Sequence, residues 1–81
     1  MDDLQFYINE IQHRPDGIKN VQETTIRNSF ATGMAYFYDR CSKASGSTQF
    51  TKVAIIIYDS DGHVIDNKEI KTSYVAPTEG E

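Results

Sequence analysis

The second half of the chain decides the fold. Residues 49–74 read QFTKVAIIIYDSDGHVIDNKEIKTSY, in which a run rich in β-branched residues is followed by Ser-Asp-Gly and then by a second extended run. Val, Ile and Tyr favour strands, and Asp-Gly between two such runs is a strong short-range signal for a β-hairpin. This stretch therefore predicts two antiparallel strands joined by a tight turn at Asp61 and Gly62.

A second hairpin is predicted near the N-terminus, where the runs LQFYINEIQH and IKNVQETTI flank Arg-Pro-Asp-Gly. Proline presets its own φ and glycine accepts a positive φ, so this tetrapeptide favours a turn. The first run is ambiguous, because its apolar residues fit both the alternation of a strand and the stripe of a helix. The propensities of Phe, Tyr and Ile favour the strand. The alternative makes residues 3–13 helical.

One helix is predicted between the hairpins, over residues 28–46. Asn28 or Ser29 can cap its N-terminus, and Gly46 follows its end. The apolar stripe consists of Phe30, Met34, Phe37 and Cys41. It is widened by Ala31 and Tyr38 on one side and by Gly33 and Ala44 on the other. The opposite side carries Thr32, Tyr36, Asp39 and Lys43. Gly33 is costly in a helix, so its place beside the stripe predicts a close approach to the sheet.

These elements predict a single small α+β domain over residues 1–75. Its order is ββαββ, with an antiparallel-rich four-stranded sheet and the helix on one face. The helical alternative for the first run gives the order αβαββ. Residues 76–81 read APTEGE, a short acidic tail that we predict to be disordered.

Composition narrows the possible environments and partners. Twelve acidic residues against eight basic ones give a net charge of −4, which argues against binding to phosphate backbones and to anionic membrane surfaces. No run approaches the ~20 apolar residues that a membrane span needs. Cys41 is the one cysteine, so an internal disulfide is impossible and a reducing, cytoplasmic location is predicted.

The Asp-Ser-Asp-Gly sequence at residues 59–62 resembles the middle of a calcium loop. If Gly62 takes the sixth position of such a loop, Ile57 takes the first and Lys68 the twelfth, where oxygen ligands are required. An apolar side chain and a cation cannot replace those ligands. The stretch is therefore predicted to be a turn, and no metal or cofactor is expected.

Catalytic chemistry is not indicated elsewhere in the sequence either. The chain path predicts that the two hairpin tips lie at opposite ends of the sheet, which separates His13 from His63. Cys41 lies on the apolar stripe of the helix, where a small buried hydrophobe is expected rather than a nucleophile. The protein is therefore predicted not to be an enzyme.

The run VAIIIY at residues 53–58 predicts a binding surface, because both sets of alternating side chains are apolar. One helix can cover only one face of the sheet. The residues predicted to form an interface on the second face are Phe50, Ala54, Ile56 and Tyr58. The expected partner is a second copy, giving a homodimer, or a host protein. A tolerated apolar patch and a folded-back tail are the alternatives.

The function predicted from these features is a non-catalytic protein-interaction module. Its size and charge are typical of accessory or inhibitor proteins of phages and mobile elements, and it has a candidate acidic surface of Asp59, Asp61, Asp66 and Glu69. The alternative is single-stranded nucleic-acid binding by stacking on tyrosines. The residues for this alternative are Tyr7, Tyr36, Tyr58 and Tyr74 with Lys52, Lys68 and Lys71. A ligand pocket between helix and sheet is a third possibility, for which the sequence places no convergent polar groups.

Overall fold

The computed structural model describes residues 4–76 of the chain. Its elements are β1 (Phe6–His13), β2 (Lys19–Val21), β3 (Thr25–Arg27), α1 (Phe30–Ser45), β4 (Lys52–Asp59) and β5 (Val64–Lys71). The predicted disordered tail lies outside the described residues from residue 77 onward.

The strands of the described chain form one antiparallel sheet in the order β2–β1–β4–β5, with β3 also paired to β1. β2 and β3 are two pieces of the predicted second strand, separated at residues 22–24. Ile11 pairs with Val21 and Tyr7 pairs with Ile26, so both pieces lie along the same edge of β1. The predicted α+β fold is confirmed, with five strands instead of four among residues 4–76.

β1 is a strand throughout, so the helical alternative for residues 3–13 is wrong. Its eight residues pair with β4 on one side and with β2 and β3 on the other. Alternate side chains from Phe6 to Glu10 are buried on the α1 side of the sheet. Pairing along both edges satisfies the backbone and outweighs the weak helical stripe in this run.

Both turns follow the local chemistry of Asp-Gly. Gly17 and Gly62 have φ values of 91° and 88°, a region that glycine enters without steric cost. Asp16 accepts a hydrogen bond at Oδ1 from the backbone N–H of Ile18, at 2.9 Å. The register pairs the end of β1 with the start of β4, so the two tips lie at opposite ends of the sheet as predicted.

α1 begins and ends where the sequence predicts. Ser29 caps the N-terminus by accepting a hydrogen bond from the N–H of Thr32, and Gly46 caps the other end. Gly33 allows the predicted close approach, since a Cβ there would lie 3.1 Å from Cβ of Phe6 and 3.3 Å from Cδ1 of Ile57.

α1 buries the predicted apolar stripe on the side that Gly33 and Ala44 widen, and it leaves the Phe30 end exposed. The buried helix residues are Gly33, Phe37 and Ala44, while Phe30 is 56 % exposed. Tyr36, which was predicted on the opposite side, is half-buried and packs against the core. The close contact at Gly33 rotates the helix so that the row through Gly33 and Phe37 meets the sheet, and this rotation brings Tyr36 inward.

Candidate functional site

The side of the sheet that faces away from α1 is the open face. Along β4, Val53, Ile55 and Ile57 are at most 1 % exposed beneath the helix, whereas Ala54 and Ile56 point the other way and are half-buried. No helix or strand within residues 4–76 covers this second side. Antiparallel pairing places directly opposed residues on the same face, so the register divides the open face into rows across the strands.

An apolar and aromatic row crosses one end of the open face. It consists of Ile26, Tyr7, Tyr58 and Val64. The rings of Tyr7 and Tyr58 lie with their centroids 5.3 Å apart and their planes tilted by 47°. Ile26 and Val64 are large hydrophobic residues that remain exposed. We call these four residues the tyrosine row.

The centre of the open face is a shallow apolar depression. Ile11, Ala54 and Ile56 form its floor, and Asn9, Asn67 and Glu69 contribute to its sides. Asn9 donates a hydrogen bond from Nδ2 to Oγ1 of Thr24, at the break between β2 and β3. The middle of the face is therefore apolar with a polar border, a pattern common in protein interfaces.

A basic row crosses the other end of the open face. It consists of Lys19, His13, Lys52 and Lys71, which the strand register places side by side. Lys52 contacts Glu69 with Nζ 3.4 Å from Oε2. The sequence carries these residues at strand ends, but only the register shows that they share one face. The basic row concentrates positive charge on a chain whose net charge is negative.

Three of the four predicted interface residues lie on the open face, namely Ala54, Ile56 and Tyr58. Phe50 does not extend this face, because it precedes β4 and packs against the core cluster. The chain bends at Thr51, so the alternation of β4 does not continue back to Phe50.

The four acidic residues predicted to form one surface lie in separate places. Asp59 is buried at the end of β4, and Asp61 is exposed in the turn. Asp66 pairs with Ile57 on the α1 side of β5, whereas Glu69 pairs with Ala54 on the open face. The two-residue period of the strand, together with a bulge near Ile57, separates them.

Asp59, Asp61 and His63 carry possible metal-ligand atoms that lie within 4.8 Å of one another. Oδ1 of Asp59 already accepts hydrogen bonds from the N–H groups of His63 and Asp61, at 2.9 and 3.0 Å. These backbone hydrogen bonds, that from His63 first, lower the pKa of Asp59. The geometry is that of a hydrogen-bonded turn, which agrees with the predicted role of this stretch.

The tyrosines of the nucleic-acid alternative are only partly brought together. Tyr7 and Tyr58 are adjacent on the open face, but the hydroxyl of Tyr36 accepts a hydrogen bond from Thr25 on the α1 side. Lys52 and Lys71 belong to the basic row, whereas Lys68 pairs with Ile55 and lies on the α1 side. Tyr74 follows the end of β5.

A second site is a polar cleft between α1 and the broken edge strand. The sequence raises a pocket between helix and sheet as a possibility but does not identify the polar residues that converge here. We call this site the edge cleft; its volume is about 370 Å³. Its polar lining consists of Glu10, Gln22, Glu23, Thr25, Tyr36 and Arg40. Glu10 and Arg40 lie 30 positions apart in the sequence, so no local pattern relates them.

The floor of the edge cleft is a bidentate ion pair. Nε and Nη2 of Arg40 donate to the two carboxylate oxygens of Glu10 at 2.7 and 3.0 Å, and Gln12 donates to Oε2 at 2.7 Å. Burial alone would raise the pKa of Glu10, but the hydrogen bonds from Arg40 and Gln12 outweigh it, so the pKa is lowered. The hydrogen bond to Glu10 raises the pKa of Arg40, so both partners are held in their charged forms.

Cys41 behaves as the sequence predicts, as a half-buried member of the packing beneath α1. Burial raises the pKa of its thiol, which disfavours the reactive thiolate.

Comparison with known proteins returns no match to a protein-family model, to a curated protein or to a solved structure. Within the described residues, α1 is not long and apolar enough to cross a membrane.

Proposed function

We propose that this protein is a non-catalytic protein-interaction module that self-associates through the open face. One observation carries the proposal. β4 is apolar on both sides, and the fold of residues 4–76 provides a cover for only one of them. Small domains commonly gain stability by burying such a face against a partner. The lone half-buried thiol of Cys41 supports a reducing compartment as its setting, and we propose the cytoplasm.

The size of the open face suits a weak dimer. Four strands spaced ~4.8 Å apart and eight residues long at ~3.3 Å each give a face of about 500 Å². Two copies would therefore bury about 1,000 Å² in total, which is near the lower limit for a specific interface. We expect a dissociation constant in the micromolar range.

The charge distribution favours a second copy over an unrelated host protein, because the face complements itself. If the two-fold axis between the two faces runs parallel to the strands, the two basic rows meet and repel each other. If the axis lies between the faces and runs perpendicular to the strands, each basic row lies over the tyrosine row of the partner. Lysine over a tyrosine ring is a favourable cation–π arrangement. We therefore propose the antiparallel arrangement, in which Lys52 lies near Tyr58 of the second copy.

Sedimentation velocity across the micromolar range tests the self-association. The unmodified protein is expected to shift from monomer to dimer as concentration rises. Ile56→Asp places a charge in the centre of the open face and should leave only monomer, with an unchanged fold by circular dichroism. The control variant Val75→Asp also replaces an aliphatic residue by aspartate, but at an exposed position outside the sheet. This variant should still dimerise. A monomer at every concentration would refute self-association.

The nucleic-acid alternative gains one specific observation, since the basic row and the Tyr7–Tyr58 pair share a face. Single strands bind to such combinations of cations and aromatic rings. The two functions compete for the same surface, so they are separable by experiment. Fluorescence anisotropy with a labelled oligothymidine at low salt should show no binding if the face is a protein interface. Saturable binding that Lys52→Glu abolishes would favour the alternative.

A further inference from the structure

The edge cleft is independent of the open face, because it lies on the α1 side of the sheet at the opposite surface of β1. Glu10 occupies a position where the alternation of β1, after Phe6 and Ile8, predicts an apolar residue. Instead, a buried carboxylate fixes Arg40 in place. A buried ion pair seldom improves stability over a well-packed apolar pair, and perturbed ionisable groups in a cleft often mark a binding site.

The helix side of the edge cleft offers hydrogen-bond donors. Both carboxylate oxygens of Glu10 already accept hydrogen bonds from Arg40 or Gln12, so we infer that Glu10 orients the guanidinium group. Nη1 of Arg40 donates to no group among residues 4–76, and the side chain is 28 % exposed. The hydroxyl of Tyr36 accepts from Oγ1 of Thr25 at 3.2 Å, which leaves its own proton available.

The edge-strand side of the same cleft offers acceptors. Glu23 is an exposed carboxylate at the break between β2 and β3. Gln22 donates from Nε2 to Oε1 of Gln12 at 2.9 Å, so its own amide oxygen is left to accept. Donors and acceptors thus line the same cleft, which has room for roughly ten water molecules.

We propose that the edge cleft binds a small zwitterion, that is, a molecule with a carboxylate and an ammonium group, such as a free α-amino acid. Its carboxylate accepts from Arg40 and Tyr36, and its ammonium group donates to Glu23 and Gln22. A simple anion is a poorer ligand, because Glu10 already neutralises Arg40 and Glu23 adds a negative charge. A simple cation leaves the donors of Arg40 and Tyr36 unpaired.

Three matched probes test this assignment by two-dimensional amide NMR titration: L-alanine, propionate and ethylamine. Propionate lacks the ammonium group and ethylamine lacks the carboxylate. L-alanine should produce saturable shifts at the amides of Gln22, Glu23 and Arg40. Each single-charge probe should bind about tenfold more weakly, since each lacks hydrogen bonds to charged groups. Equal affinity for propionate, or no saturable shift with L-alanine, would overturn the proposal.

Two variants connect the binding to the named residues. Tyr36→Phe keeps the ring that Arg27 stacks on and removes only the hydroxyl, so L-alanine should bind roughly threefold to tenfold more weakly. Glu23→Gln, at an exposed position, should weaken L-alanine binding and leave propionate binding unchanged or stronger. The amide spectrum of each variant also reports whether the fold is retained. Unchanged affinity for L-alanine in both variants would contradict the assignment.

Discussion

β4 presents the same chemistry to two different environments. Val53, Ile55 and Ile57 are buried beneath α1, whereas Ala54, Ile56 and Tyr58 lie on the open face and are half-buried. Burial beneath α1 explains why the first set is apolar. It does not explain why the second set is apolar, because a strand covered on one side ordinarily alternates with polar residues.

The comparison separates stability from binding. Side chains on the covered face determine whether the monomer folds, since they fill the space between sheet and helix. Side chains on the open face contribute less to the monomer and, in our proposal, determine whether two copies associate. Substitutions at neighbouring positions of one strand should therefore have different consequences.

The largest expected difference is that between the free energies of unfolding of Ile55→Ala and Ile56→Ala. Ile55→Ala leaves a cavity beneath α1 and should lower the free energy of unfolding by about 2–5 kcal/mol. Ile56→Ala should cost the dilute monomer about 1 kcal/mol, because its side chain remains partly in water. Urea denaturation below the dimerisation range measures both values. Equal costs would show that the two faces are equally buried in the monomer.

Gly33→Leu tests how closely the covered face is packed. The side chain would meet Phe6 and Ile57, so the free energy of unfolding should fall by about 1–3 kcal/mol. Ala35→Leu makes a similar change at an exposed position of the same helix and should be nearly neutral. If both variants were equally stable, the helix could not lie as close to the sheet as the structure places it.

Glu10→Gln tests the polar end of the covered face through its pH dependence. The lowered pKa of Glu10 means that its ion pair stabilises the fold fully above the unfolded pKa of about 4.3. That stabilisation is lost as the pH falls through the lower folded pKa. At neutral pH the variant should be less stable by about 1–2 kcal/mol, because a charged hydrogen-bonded pair is broken.

The corresponding measurement is urea denaturation of both proteins at neutral pH and again near pH 3. The difference between the native protein and Glu10→Gln should shrink at acidic pH, because the stabilisation from the charged carboxylate is lost as the pH falls through the lowered pKa of Glu10. A difference that stays constant with pH would mean that the charge of Glu10 does not stabilise the fold.

Lys52→Glu should have the smallest effect, a change in the dissociation constant of the dimer. The direction of this change tests the proposed antiparallel arrangement. In the antiparallel dimer Lys52 lies near the partner's tyrosine row, so the change should weaken association by roughly threefold. Lys43→Glu makes the same charge change on the exposed surface of α1 and should leave the dissociation constant unchanged. Tighter association of Lys52→Glu, measured by sedimentation, would instead indicate that the two basic rows face each other.

Local features of the fold could be predicted from the sequence, because their causes are local. The two Asp-Gly turns and the capping of α1 by Ser29 and Gly46 depend on residues within a few positions of each other. The close approach at Gly33 was indicated by the cost of glycine inside a helix, although its partners Phe6 and Ile57 are distant in the sequence. The rotation of α1 that leaves Tyr36 half-buried could not be predicted, since it depends on how Gly33 fits between Phe6 and Ile57.

Non-local features of the two candidate sites were predicted only in part. The alternation of β4 placed Ala54, Ile56 and Tyr58 correctly on one face. The basic row required the register between four strands, which the sequence does not fix. The edge cleft required Glu10 and Arg40 to meet, and it also required the break between β2 and β3, for which no turn residue gives a signal.

Isotope-filtered NMR on a mixture of labelled and unlabelled protein tests the central claim most directly. At a concentration where sedimentation shows dimer, nuclear Overhauser effects between the two kinds of protomer should arise from the methyl groups of Ile56 and the ring of Tyr58. Intermolecular effects confined to α1, with none from Ile56 or Tyr58, would contradict association through the open face.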